Sequence, residues 1–245
     1  MDEILLIDKP AGMTSFGVVA RVRRVLSAEA RHKVKVGHTG TLDPFATGLL
    51  ILMTGKMTRK CEEFLKLDKK YVATICLGKT STTGDTEGEI RNYIFAGRVG
   101  SARLHGRAAL ELGSDLRAAS KSVVPNFPTV SSVVKSFQGE IVQRVPAYSA
   151  VKINGKRAYD LARRGVEVEM PERKVTIYSI EILNYEWPYL KIACHVSSGT
   201  YIRTLGEDIG KKLGVGGYLT ELRRTAIGKY RVEEARTLAE LGILD

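Results

Sequence analysis

A glycine-rich loop that empties into an unbroken apolar run most restricts how this chain can fold. Val36 to Leu52 reads V-G-H-T-G-T-L-D-P-F-A-T-G-L-L-I-L. Gly37, Gly40 and Gly48 permit tight backbone or the close approach of a ligand. Pro44 pushes Asp43 away from helical geometry, so no helix can run through this point. A shaped loop feeding a buried strand, Leu49–Met53, is the reading that satisfies both halves. Asp43 is the single carboxylate of that loop. Loops carry function disproportionately, which makes Asp43 the centre of an active-site candidate. An ordinary glycine-rich turn before a core strand would read the same way locally.

Bulk properties narrow the setting. A chain of 245 residues suits one large domain or two small ones. With 44% hydrophobic and 27% charged residues it can bury a proper core. Lys and Arg exceed Asp and Glu by 11, and the pI of about 9.6 points to a nucleic-acid partner. Cys61, Cys76 and Cys194 are far apart and form no C-x-x-C. They read as free thiols in a reducing compartment, with no disulfide framework and no metal site. His32, His38, His105 and His195 show no metal-ligand spacing. The acidic start, M-D-E-I-L-L, lacks the basic region of a signal peptide. No apolar run reaches membrane-spanning length. A cytoplasmic protein off the membrane, working as a monomer, is expected.

Along the chain, Ile4–Ile7 reads as a strand that ends in an Asp-Lys-Pro-Ala-Gly turn. Thr14 and Ser15 can cap a helix over Phe16 to about Ser27, with Val18, Val19, Val22, Val25 and Leu26 at helical period. Between Phe16 and Val36 lie six basic residues (Arg21, Arg23, Arg24, Arg31, Lys33 and Lys35) against one acid, Glu29. That face either contacts phosphates or is simply solvated. Met57 to Leu67 reads as a helix, Lys70–Leu77 as a strand with Tyr71 near its start, and Gly78 to Gly88 as a polar loop holding Asp85. Arg91 to Pro125 is glycine-spaced and basic, with one helical patch around Ala108–Ala119. A helix over Thr129–Phe137 and a strand over Gln138–Val142 are expected. A basic helix should span Arg157 to Arg164, followed by a strand pair, Arg173–Leu183 with Tyr189–Val196. Thr200 to Leu213 is helical in pattern, with Ile202, Leu205, Ile209 and Leu213 buried. Arg203 sits near that helix's N-terminus, where the dipole favours anions, so a carboxylate or phosphate partner would explain it. Leu219 to Arg224 is read as a short basic helix, and Val232 to Leu241 as a closing amphipathic one.

Common catalytic signatures are missing. There is no G-x-x-x-x-G-K-[ST], no G-x-G-x-x-G after a strand, no G-x-S-x-G, no H-E-x-x-H and no zinc-deaminase pattern. A basic chain remains, with a loop Asp, a nearby His, a strand Tyr and a helix Arg. A lone carboxylate can be a nucleophile at a sugar or base carbon. An Arg beside it would keep it ionised and aimed. A Tyr can stack on a displaced base and, if suitably placed, move a proton.

Five stretches resemble the motifs of TruB-type tRNA pseudouridine synthases. They are D-K-P-A-G-M-T-S (Asp8–Ser15), G-H-T-G-T-L-D-P-F-A-T-G (Gly37–Gly48), K-Y-V-A-T-I-C-L-G (Lys70–Gly78), P-A-Y-S-A-V-K-I-N-G-K-R-A-Y (Pro146–Tyr159) and S-S-G-T-Y-I-R-T-L (Ser197–Leu205). They occur in the family's order and span most of the chain. The resemblance implies an α+β pseudouridine synthase fold with a mixed, largely antiparallel central sheet flanked by helices. It implies isomerisation of a uridine in the T-loop of tRNA, at tRNA position 55, without a cofactor. The base would leave C1′, rotate, and rejoin through C5. By the same resemblance Asp43 is the nucleophile, at C1′ or at C6 of the base. Tyr71 would stack on the target base, and Arg203 would pair with Asp43. His38 would help fill the space left by the flipped base, and Asp85 would lie near the flipped nucleotides. Lys9-Pro10 would pack under the catalytic loop. Arg21, Arg24, Lys35 and Arg157 are the basic residues taken as RNA contacts.

Two departures from the family pattern stand out. Residues at about 93–124 form a longer connection than usual, carrying Arg98, Arg103, Arg107, Arg117 and Lys121. The chain stops soon after Lys229-Tyr230-Arg231-Val232, so residues 1–245 are expected to form a single catalytic domain without a C-terminal RNA-binding domain of PUA type. Action on another structured RNA is the alternative for substrate, and an RNA-binding protein without activity is a further rival.

Overall fold

A short continuous apolar run, Ile4 to Ile7, lays down a strand that pairs antiparallel with the apolar run after the glycine loop, Ile4 opposite Met53 through Lys9 opposite Gly48. In the computed structural model, residues 2–93, 124–153 and 155–243 are described. The elements are β1 (Ile4–Lys9), α1 (Ser15–Ala30), β2 (Val36–His38), β3 (Thr47–Thr54), α2 (Cys61–Leu65), β4 (Lys69–Leu77), β5 (Lys79–Ser81) and β6 (Ile90–Asn92). There follow α3 (Phe127–Lys135), β7 (Gly139–Arg144), β8 (Lys152–Ile153), β9 (Lys156–Arg157), α4 (Ala158–Arg163), β10 (Glu172–Glu186), β11 (Tyr189–Val196), α5 (Ile202–Lys212), β12 (Gly217–Ile227) and β13 (Tyr230–Arg231). The expected insertion at 93–124, with its helix around Ala108–Ala119, lies outside the described residues apart from Tyr93 and Val124.

The central sheet runs β1-β3-β12-β4-β11-β10-β7, with β2 added beside β3 and β13 beside β12. Pairing is antiparallel throughout except between β3 and β12, which meet in parallel at Thr47–Arg223 and Gly48–Arg224. The sheet is therefore mixed and largely antiparallel, as the motif resemblance implied. Strand β3 is covered on both faces, which explains its continuous apolar run. Leu50 and Leu52 pack with Ile7 against Val18, Val19 and Val22 of α1, while Leu49 and Ile51 meet Ile227 and Val232. Leu49 to Met53 are fully buried, each worth about 1.5–3 kcal/mol of transfer free energy. On the sheet's other half, Ile75, Ile192 and Leu219 bury Leu205 and Ile209 of α5 and Val130 and Val134 of α3.

Two helix expectations fail, for reasons the backbone makes plain. Leu219 to Arg224 is the middle of strand β12, not a helix. Two register irregularities, between Leu219 and Glu221 and between Arg224 and Ala226, break its period-two pattern. Val232 to Leu241 is also not a helix: a short 3₁₀ turn covers Val232–Glu234, a brief extended stretch follows through Thr237, and turns run from Leu238. In the extended stretch Arg236 exchanges backbone hydrogen bonds with Leu6 and Asp8 of β1, so the segment seals the sheet edge. Leu238 and Ile243 turn inward onto the α1 cluster. Met57 to Leu67 splits into a 3₁₀ stretch, Gly55–Lys60, and the five-residue α2. Short strands β2, β5, β6 and β13 lie where loops, the insertion or no element was expected, while β1, β3, β4, β7, β10, β11, α1, α3, α4 and α5 agree with the sequence pattern to within a few residues at their ends.

Candidate active site

Asp43 lies on the loop between β2 and β3, and four separate parts of the chain hold that loop. Ser15, the first residue of α1, accepts from the Leu42 amide at 2.8 Å and donates back to the Leu42 carbonyl at 3.0 Å. Lys9, fully buried, donates from Nζ to the carbonyls of Pro10, Met13 and Pro44 at 2.7, 2.6 and 3.1 Å. The Gly12 amide adds a bond to the Pro44 carbonyl at 2.8 Å. So the Asp-Lys-Pro turn packs beneath the loop and grips the residue after Asp43. Burial brings the Lys9 ammonium down to about 8, against the pull of Asp43. From β12, Arg224 grips the loop's start. The fourth hold is on the carboxylate itself.

That hold is Arg203, second residue of α5 and almost fully buried. Its Nε stands 3.0 Å from Asp43 Oδ2, and one Nη donates to Asp43 Oδ1 at 3.4 Å. The same guanidinium reaches Asp85 Oδ2 at 3.2 Å and the carbonyls of Thr83 and Tyr148 at 2.8 and 2.7 Å. Arg203 thus has the partner that its position near a helix N-terminus demanded. The helix start is fixed in turn by buried Gln143 of β7, which accepts from the Tyr201 amide at 3.0 Å and donates to the Tyr201 carbonyl at 3.2 Å. Asp85 is buried against Arg203, its second oxygen taking the Thr83 hydroxyl and the Glu87 amide. It faces the interior as a co-partner of the guanidinium.

The carboxylate's electrostatics are a contest. Burial pushes Asp43 above the ordinary carboxylate range, Arg203 opposes this, Asp85 adds to it, and Lys9 and Arg224 oppose it more weakly. The net direction is upward. Tyr71, on the central strand β4, is buried, and burial raises its phenol while Arg224 pulls the other way. A phenol held protonated suits a stacking surface better than a resting base. His38 ends β2 half-buried, its Nδ1 within 3.3 Å of the Gly40 amide. Burial first, and Arg224 second, lower its pKa, so the ring is neutral at physiological pH.

The four basic residues taken as RNA contacts are scattered. Arg24 and Lys35 are exposed and Arg21 is half-buried on the α1 side. Lys35 lines a surface cavity of about 320 Å³ with His32, Lys33, Lys56 and Arg59, at the end of β2 away from His38. Arg157 is exposed and donates to the Tyr159 hydroxyl at 3.2 Å. Among the described residues no group of three His, Cys, Asp or Glu side chains is placed to hold a metal ion. Cys76 and Cys194 are buried thiols and Cys61 is half-buried, none in a disulfide.

Sequence reasoning missed Arg224 and Gln143. Arg224 is 1% exposed. Its Nε donates to the Leu49 carbonyl at 2.7 Å, and its two Nη to Thr41 and Gly40 carbonyls at 3.4 and 3.1 Å. A polar residue amid an alternating apolar pattern was the available signal, hidden by the helix reading of its segment.

The site therefore joins a loop carboxylate, the buried guanidinium that holds it and, on the central strand of a mixed sheet, a buried Tyr. Comparison with known proteins goes further. The model of the TruB family pseudouridylate synthase N-terminal domain matches residues 23–105 and 115–202. That of the tRNA pseudouridylate synthase B C-terminal domain matches residues 203–243. Among curated relatives, tRNA pseudouridine synthase B of Desulfotalea psychrophila is 43% identical over 96% of this chain and 85% of its own length. The Clostridium kluyveri protein of the same name is 40% identical over 98% of this chain and 72% of its own. Among solved structures, a chain of a Cbf5-Nop10-Gar1 complex shares 31% identity and a TM-score of 0.65 over 97% of this chain. A chain of an H/ACA RNP bound to a substrate RNA containing 2′-deoxyuridine gives 29% and 0.63 over 97%. This chain spans about half the length of those two, 53% and 51%. It belongs to the TruB family of pseudouridine synthases.

Proposed function

We propose that this protein converts the uridine at position 55 in the T-loop of tRNA to pseudouridine, with Asp43 as nucleophile. The Asp43–Arg203 pair, 3.0 Å apart between the glycine loop and α5, is the single observation that carries the reading. Binding alone has no use for a carboxylate held half-desolvated beside a guanidinium. Asp43 attacks C1′ of the ribose or C6 of the base. In the first route the N1–C1′ electrons leave with the uracil and an ester forms at C1′. C5 then displaces the carboxylate, and the C5 proton moves to N1 overall. In the second route Asp43 adds to C6, the N1–C1′ bond breaks, C5 bonds to C1′, and the carboxylate is expelled from C6 as the C5 proton passes to N1 overall. Either way the product is an isomer of the substrate, so no reductant, oxidant or cofactor is consumed.

Arg203 keeps Asp43 ionised and aimed. Tyr71 offers its ring to the displaced base, and His38 stands at the loop's entry to fill the stack that base leaves. Flipping costs a few kcal/mol of unstacking, which such contacts offset. The net charge of +11 favours the tRNA backbone, and Arg21, Arg24, Lys35 and Arg157 are proposed phosphate contacts. The three unpaired cysteines suit the cytoplasm. We take the enzyme to act as a monomeric catalytic domain.

Incubation with an unmodified tRNA transcript, followed by carbodiimide treatment and primer extension, should give one stop in the T-loop. A product elsewhere in the tRNA, or none, overturns the site assignment. A second reading, modification of another structured RNA, draws on the likeness to chains from H/ACA particles. It predicts activity on a non-tRNA transcript and silence on tRNA.

A further inference from the structure

Buried Arg203, Lys9 and Arg224 all surround the Asp43 loop, and of the two guanidinium groups the reaction as described above uses only Arg203. Arg224 sits on β12 with Tyr71 of β4 as its neighbour on one side and Gly48 of β3 on the other. Its backbone presses on β3 so closely that a Cβ on Gly48 would stand 2.3 Å from the Arg224 carbonyl oxygen. Its side chain then reaches past Leu49 to the carbonyls of Gly40 and Thr41. The loop's exit at Gly48 and its entry at Gly40–Thr41 therefore meet on one residue. Tyr71 stands directly opposite Arg224 in the β4–β12 register, and the guanidinium's charge acts on its phenol.

Among the described residues no carboxylate stands within ion-pair distance of Arg224, although it is 1% exposed. A buried charge satisfied by neutral carbonyls is a costly way to tie a loop. A charged planar fork has two properties that a neutral donor lacks: it spans several carbonyls in fixed geometry, and it projects a permanent positive field. Both Asp43 and Tyr71 lie in that field.

We propose that Arg224 is a positioning residue of the reaction, fixing the Asp43 loop and the Tyr71 ring in one mutual geometry so that carboxylate and stacking surface meet the same nucleoside. The proposal rests on the reading that Asp43 and Tyr71 act on a flipped uridine. It separates a loop anchor at the backbone, Arg224, from a carboxylate partner, Arg203. Misplacement by about 1 Å costs on the order of a hundredfold in rate, so Arg224 acts on turnover more than on RNA binding.

The test uses the full chain with the variants Arg224→Lys and Arg224→Gln. Single-turnover rates and tRNA affinity are measured from pH 5 to 9, with thermal melts recorded alongside. Both variants should bind tRNA within about twofold of wild type and react on the order of a hundredfold more slowly. The acid limb of the rate profile should move to higher pH in the Gln variant, which lacks the charge, and stay in place in the Lys variant. Rates within threefold of wild type overturn the proposal. So does a loss confined to affinity, or an unmoved acid limb in the Gln variant. If both variants are unfolded at the assay temperature, or if wild type shows no pseudouridine formation on tRNA, Arg224 is structural in the first case and the parent reading fails in the second.

Discussion

Replacing Arg203 with Met tests the electrostatics of the site quantitatively. The guanidinium now serves two carboxylates, Asp43 at 3.0 Å and Asp85 at 3.2 Å, and two carbonyls, Thr83 and Tyr148. Met fills much of the same volume and satisfies none of them. Removing one member of a buried ion pair costs about 3–5 kcal/mol, because the partner charge is left buried. The pH dependence carries the finer test. Asp43 is already raised above the ordinary range by burial, with Arg203 the leading opposing influence. Without Arg203 the pKa rises further, so the variant takes up a proton at a pH where wild type stays ionised. A raised folded pKa contributes stability below the unfolded value and loses it as pH climbs through the folded one. The variant should therefore trail wild type by about 3–5 kcal/mol at pH 8 and by less at pH 5. Urea unfolding at the two pH values measures this directly. A deficit under ~1 kcal/mol at pH 8, or one of equal size at both, would refute the buried-pair reasoning. Pseudouridine formation by the folded variant should fall at least a hundredfold at neutral pH, since the carboxylate is no longer aimed and is more readily protonated.

Glu207, one turn after Arg203 on α5, is raised by burial and by Asp208 to about 7. Its protonated form stabilises the fold below the ordinary value of 4.5, and that contribution is lost as pH rises through about 7. Glu207→Gln should gain ~1–2 kcal/mol on wild type between pH 5 and 8, after discount for partial exposure, and a flat difference in melting temperature would contradict this. Gly48 combines φ +102 with the Arg224 carbonyl 2.3 Å from any added Cβ. Gly48→Ala should cost at least ~4 kcal/mol. Gly12→Ala, with φ +78 but open space around it, should cost only ~1–2 kcal/mol, and equal melting temperatures for the two variants would undo the steric account.

Much of this fold could be read before the structure. Strands β1, β3, β4, β10 and β11 declare themselves because each has a buried face or two, and α1 and α5 because their apolar stripes keep helical period. Strand β12 was illegible for a physical reason. Two bulges shift its register, and one of its buried positions holds Arg224, which a pattern of apolar and polar residues assigns to the surface. The last segment misled in the opposite way. Val232, Leu238 and Leu241 have plausible helical spacing, but Arg236 finds its hydrogen-bond partners on β1 instead of within its own segment.

The site divides similarly. Asp43 stood out by being the lone carboxylate of a glycine loop. Arg203 stood out because a cation near a helix N-terminus needs a partner. That the two belong together spans 160 positions, and only family resemblance or coordinates join them. Gln143, 58 positions from Tyr201, carries no local signal at all. Asp85 could be noticed as a loop carboxylate, but its burial against Arg203 could not be inferred from the loop's polar composition.

The most direct test of the central claim is the chemistry of Asp43 itself. Asp43→Asn keeps the size and most hydrogen-bonding capacity of the side chain and removes its nucleophilic charge. Carbodiimide primer extension on a tRNA transcript, with affinity measured on the same preparation, separates binding from reaction. The account predicts tRNA binding near the wild-type level and no pseudouridine at position 55. Wild-type formation of pseudouridine by the Asn variant would contradict it outright.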